Sequence, residues 1–82
     1  MRVRVLYFAA VRDLVACEEE SLDLPEPVRT VRDFTAWIAL QHGALAGRMA
    51  SVRIARNETF ALADETLAEG DVLALIPPVA GG

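Results

Sequence analysis

Lysine is missing from this chain: all eight basic residues are arginines, scattered singly from Arg2 to Arg56. No basic stripe forms and the net charge is −4, so nucleic acid is not an expected ligand. The missing lysine prevents the chain from accepting a copy of itself through a lysine isopeptide bond, but it equally reads as a composition biased toward Arg. Cysteine occurs once, at Cys17. An internal disulfide is therefore impossible, and a reducing, cytoplasmic setting is expected. Histidine also occurs once, at His42, far from Cys17 in sequence. One Cys and one His cannot close a zinc site, and the thiol has no evident base beside it, so neither a metal nor a reactive cysteine is expected. His42 precedes Gly43 and reads as a helix-end histidine. Long apolar runs are absent too. Nothing approaches the roughly 20 residues that span a bilayer. The stretch Val5–Val11 behind Arg2 and Arg4 imitates a signal peptide, but Arg12-Asp13 breaks it without a small-residue cleavage site, so no membrane role is expected.

What is present fits one small domain. The chain has 82 residues, 54% of them hydrophobic, which is too apolar for disorder. Aromatics make up only 6%, so the core must rest on Val, Leu, Ile and Ala. The acidic run Glu18-Glu19-Glu20 reads as a solvated turn.

Period-2 patterning predicts a strand over 2–9. Val3, Val5 and Tyr7 share one parity; Arg2, Arg4, Leu6 and Phe8 share the other. Arginines belong on the solvent side, so Val3, Val5 and Tyr7 take the core. One or two helical turns follow over 10–16, then a strand over 19–24 that stops at Pro25. Thr30 and Asp33 resemble a capping box, and behind them Val31, Phe34, Ile38 and one of Leu40 or Gln41 fall at helical spacing. That predicts a helix over 30–42, stopped by Gly43. Strands are expected over 51–56 and 59–62, with a turn at Asn57-Glu58, and again over 72–76. Pro77-Pro78 ends the last strand because proline cannot donate to the ladder. Strands grouped around one main helix predict an α+β fold with a mixed sheet of four or five strands. If the first and last strands pair in parallel at its centre, the fold is a ubiquitin-like β-grasp. The domain is expected over 1–76, with 77–82 as a flexible tail.

The tail carries the chemistry. Two terminal glycines arise by chance in roughly 1 of 200 chains, so the context matters more than the pair. Here an apolar strand stops at two prolines, and Val79, Ala80, Gly81 and Gly82 run on to the carboxylate. Pro-Pro favours an extended, stiff geometry that aims the tail outward. From Pro77 to Gly82 it can reach about 20 Å. Glycines lack Cβ and can pass through a narrow channel. A terminal carboxylate is inert until adenylation makes it an acyl electrophile, after which sulfur can attack to give a thiocarboxylate.

The segment Arg4–Leu14 resembles the opening of the small, MoaD-type subunits of molybdopterin synthase. Ala55-Arg56-Asn57-Glu58, Leu67-Ala68-Glu69-Gly70-Asp71 and Ile76-Pro77-Pro78-Val79-Ala80-Gly81-Gly82 match that family in order and spacing. The resemblance covers nearly the whole chain. Its most specific part is the Pro-Pro-Val-x-Gly-Gly ending, and one departure is Ile76, where an aromatic is frequent. It implies a cytoplasmic β-grasp sulfur carrier that acts within a heterotetramer and binds no cofactor. Gly82 would be the working residue, with Pro77, Pro78, Val79, Ala80 and Gly81 threading into partner channels. The implied partners are a ubiquitin-activating-like adenylyltransferase that consumes ATP, a sulfurtransferase and the large synthase subunit. There the thiocarboxylate would donate sulfur to cyclic pyranopterin monophosphate. The same activated carboxyl also suits a carrier for thiamine or tRNA thiolation, a ubiquitin-like protein modifier, or, without activation, a passive adaptor.

Strand parity adds a partner surface. Leu6, Phe8, Phe60 and Ile76 are expected to form an exposed apolar patch beside the tail's exit, with Arg12 at its rim facing an acidic partner group. The alternative is that Phe8 closes the end of the core.

Overall fold

The computed structural model describes residues 1–78. Its elements run β1 (Arg2–Tyr7), α1 (Ala9–Val15), β2 (Glu19–Asp23), α2 (Val31–Gln41), β3 (Arg53–Arg56), β4 (Thr59–Phe60) and β5 (Val72–Ile76). Two single 3-10 turns, Gly43–Leu45 and Met49–Ser51, link α2 to β3. The five strands form one mixed sheet in the order β2-β1-β5-β3-β4. β1 and β5 pair in parallel near its centre, and the other pairings are antiparallel. This is the α+β, ubiquitin-like β-grasp architecture.

The parity reading of β1 holds. Val3, Val5 and Tyr7 are buried, whereas Arg2 and Arg4 are exposed. Leu73 and Leu75 of β5 join them beneath α2, which buries Val31, Phe34 and Ile38. The capping box forms with Asp33 in place of the usual Glu: Thr30 Oγ1 accepts from the Asp33 N–H at 3.2 Å, and Asp33 Oδ2 accepts from the Thr30 N–H at 3.1 Å. Those backbone donors, first from Arg29 and then from Thr30, hold the Asp33 carboxyl below its usual range.

Several boundaries and placements differ from expectation. β1 stops at Tyr7 because Phe8 becomes the extended N-cap of α1. β3 starts at Arg53, since Ser51 still belongs to a 3-10 turn, and β4 ends at Phe60 rather than residue 62. α2 ends at Gln41 with His42 as its cap, so Gly43 opens a 3-10 turn instead of stopping the helix. Leu40 is 80% exposed; two residues beyond Ile38, it lies on the opposite side of the helix.

The acidic run is not a solvated turn. Glu19 and Glu20 open β2, and their alternation sends Glu20 toward the helical side. There Glu20 Oε2 accepts from the Tyr7 hydroxyl at 2.5 Å and lies 2.6 Å from His42 Nε2. A carboxylate only accepts, so the His42 ring donates through Nε2. Partial burial pushes the Glu20 carboxyl up, but the bonds from Tyr7 and His42 outweigh it and hold it below its usual range. Burial, reinforced by that same carboxylate, drives the Tyr7 hydroxyl far above its ordinary value. His42 is thus a clasp between the end of α2 and an edge strand.

Candidate functional site

The outer face of the sheet, opposite α2, is built by strand register. Leu6 stands opposite Ala74, Ala55 opposite both Ala74 and Phe60, and Arg53 opposite Ile76. Small alanines in the middle and larger side chains around them leave a groove of about 510 Å³. Leu6, Phe8, Ala55, Asn57, Glu58, Phe60, Val72, Ala74 and Ile76 line it. Phe8 is 45% exposed and Phe60 49%, so neither aromatic is a core residue, and the alternative of Phe8 as a core plug is set aside.

Each predicted residue can now be placed. Leu6, Phe8, Phe60 and Ile76 converge on this groove. Arg12 does not line it; its guanidinium lies on α1, 3.6 Å from Glu18. A second cation stands beside the groove, also without lining it: Arg53, whose guanidinium lies 3.6 Å from the Phe60 ring centroid. The shared parity of Arg53 and Ala55 was the available signal, but only the pairing of β3 with β5 brings it beside Ile76. β5 ends at Ile76, and the half-buried Pro77 and exposed Pro78 follow outside any strand. Val79, Ala80, Gly81 and Gly82 lie outside the described residues.

One end of the groove is fixed by Asp71, which is 5% exposed. Its carboxylate accepts from Arg56 Nε at 2.7 Å, Asn57 Nδ2 at 3.0 Å and the Ala68 N–H at 2.8 Å. Burial raises the Asp71 carboxyl, yet Arg56, Asn57 and the Ala68 amide together bring it below its usual range. Asn57 Oδ1 in turn accepts from the Val72 N–H at 2.9 Å, tying the β3–β4 turn to the start of β5. Asn57 and Glu58 both have positive φ, 51° and 72°, which makes the two-residue connection a type I′ turn.

The Cys17 thiol donates to the Glu19 carbonyl at 3.1 Å and is half-buried. Among the described residues no group of three or more His, Cys, Asp or Glu side chains could hold a metal ion. No helix among them is long and apolar enough to cross a membrane.

The sequence and the fold both have known relatives. The ThiS family profile matches residues 5–82. A molybdopterin synthase sulfur carrier subunit from Chlamydomonas reinhardtii is 34% identical, over 100% of both chains. The H. volcanii small archaeal modifier protein 1 superposes with a TM-score of 0.82 at 27% identity, over 95% of this chain and 98% of that one. A Helicobacter pylori chain from the complex of subunits 1 and 2 of molybdopterin-converting factor superposes with a TM-score of 0.71 at 25% identity, over 100% of both chains. By profile and full-length identity, this chain belongs to the ThiS family, as a relative of the molybdopterin synthase sulfur carrier subunits.

Proposed function

We propose that this chain is the sulfur carrier subunit of molybdopterin synthase, working in the cytoplasm through the carboxyl of Gly82. A ubiquitin-activating-like enzyme spends ATP to adenylate that carboxyl, releasing pyrophosphate. A persulfide carried by the sulfurtransferase attacks the acyl carbonyl and expels AMP, and a thiol then reduces the resulting acyl disulfide, leaving the thiocarboxylate and a disulfide. The large subunit, paired with this chain in a heterotetramer, then receives the tail and passes the sulfur to cyclic pyranopterin monophosphate. Acid–base groups and nucleotide sites belong to the partners; this chain supplies a docking face and a carrier carboxyl.

One observation carries the reading. The apolar groove lies on the outer face at Ile76, where β5 ends and the Pro77-Pro78 tail toward Gly82 begins. A partner seated there is held where the tail must enter its channel. Burying exposed aromatics such as Phe8 and Phe60 supplies the anchoring. The Helicobacter pylori chain that shares this fold comes from a complex of two converting-factor subunits, which supports a large-subunit partner.

Deletion of Gly82 is expected to abolish sulfur transfer in a reaction rebuilt from purified partners, with stability changed by less than about 0.5 kcal/mol. Intact mass of the carrier from its host should show a species heavier by about 16 Da, one oxygen replaced by sulfur. Molybdopterin formation by the truncated chain would overturn the proposal.

A second reading has its own support in the likeness to a small archaeal modifier protein. As a modifier the chain would form amide bonds from Gly82 to lysines of other proteins. Conjugates that resist thiol and hydroxylamine in host extracts would mark that role. A carrier alone leaves none.

A further inference from the structure

Four arginines lie in strands: Arg2, Arg4, Arg53 and Arg56. Three are matched to acids. Arg2 pairs with Asp23 at 2.9 Å, Arg4 with Glu19 at 2.6 Å, and Arg56 with Asp71 at 2.7 Å. Arg53 makes no ion pair among the described residues, although the chain carries twelve acidic residues and a net charge of −4. It is exposed, and its guanidinium stacks on Phe60, 3.6 Å from the ring centroid.

Stacking uses the face of a guanidinium. Its N–H donors lie in the plane, pointing outward around the edge, and a carboxylate is the group that meets two of them at once. Phe60 therefore holds the fork in place and leaves its hydrogen-bonding edge open. An isolated surface arginine would lose much side-chain freedom on pairing; one already stacked loses less, so its contact yields more net affinity. The position matters equally. Arg53 stands across the ladder from Ile76, at the end of the groove where the chain leaves β5. The opposite end is closed by Asn57 and the acidic Glu58. The groove is thus apolar along its floor, flanked by the cation of Arg53 at the tail end and lined by the acidic Glu58 at the other.

We infer that Arg53 is a specificity-determining residue. It takes an Asp or Glu of the protein that seats in the groove, placed beside the apolar side chain filling the space between Phe8, Phe60 and Ile76. The inference rests on the reading of this groove as the docking face and adds the chemistry by which it selects its occupant. Charge complementarity sets the choice, because a partner with a cation at that position would meet Arg53 and be rejected.

The test uses the full-length chain and the purified large-subunit partner from the same organism. Dissociation constants are measured at about 50 mM and about 300 mM salt, where screening differs strongly. Arg53→Gln should weaken binding about 10-fold at low salt and flatten its salt dependence, and Arg53→Glu should weaken it about 100-fold. Reversing the facing partner carboxylate to Arg should restore binding to Arg53→Glu. Phe8→Ala serves as the control for the groove itself, with an expected loss of about 30-fold. Melting temperatures check that each variant is folded. If Phe8→Ala weakens binding but Arg53→Glu does not, Arg53 has no selective role and the docking face stands. If neither variant changes binding, the docking face fails and the inference with it. A loss in Arg53→Glu that ignores salt and is not rescued by any partner reversal assigns Arg53 to packing alone and overturns the inference.

Discussion

Glu58 is the residue most at odds with its backbone. The hairpin between β3 and β4 needs positive φ at both central positions, and Asn57 tolerates this through its short side chain, but Glu58 sits at φ 72° with a Cβ that crowds the carbonyl. Glycine is the residue that such a turn favours at its second position. Glu58→Gly should therefore raise unfolding free energy by about 0.5–1 kcal/mol, after the extra entropy of the unfolded glycine is subtracted. Urea titration of the two proteins checks this; a loss of stability would show that the Glu58 side chain supports the turn.

At the level of elements, the sheet is held by polar pins at places where hydrophobic packing runs out. The β3–β4 hairpin contains a two-residue strand and cannot define its own register. Asp71 does so from outside, by joining Arg56 and Asn57 of the hairpin to the loop before β5. Its folded carboxyl lies below its ordinary value of 3.8. A depressed carboxyl stabilises the fold above its unfolded pKa, and that contribution is lost as pH falls through the folded value. Asp71→Asn should cost about 2 kcal/mol at neutral pH, and the gap to the parent should narrow below pH about 4 as the parent carboxylate protonates. Chemical denaturation at pH 7 and pH 3 measures both values. A gap that is constant with pH would remove the charge on Asp71 from the account.

For the molecule as a whole, one continuous core joins every large element. Val3, Val5, Tyr7, Val11, Phe34, Ile38, Leu45, Ile54, Leu73 and Leu75 belong to a single buried cluster. Trp37 packs against its edge, with its ring centroid 6.5 Å from that of Phe34. A domain this small has no second core to unfold separately. Unfolding in urea should be two-state, with a slope on the order of 1 kcal/mol/M. Trp37 fluorescence and far-ultraviolet dichroism should give superimposable transitions. Separate midpoints would show that α2 loosens before the sheet. The outer groove lies outside this cluster, so changes at Phe8 or Phe60 should leave the transition almost unmoved while altering partner binding.

Much of this protein is written in local sequence. The alternation of Arg2 and Arg4 with Val3 and Val5 assigns the two faces of β1, because side-chain direction in a strand has a fixed period. Thr30 and Asp33 mark where α2 begins, through bonds that span three residues. The ending Pro77–Gly82 suggests the proposed carrier role without any fold, since its motif is contiguous in sequence. What the tertiary structure alone decided is non-local. Glu20 meets His42 across 22 positions, and nothing in the run Glu18-Glu19-Glu20 announces that one member turns inward. Arg12 and Arg53 look alike as isolated cations; the fold puts one against Glu18 and the other over Phe60. The groove exists only because β5 inserts between β1 and β3, setting Leu6, Ala74 and Ala55 in one row. Periodicity fixes which way a side chain points, but its neighbours are chosen by strand pairing over distances that no local pattern encodes.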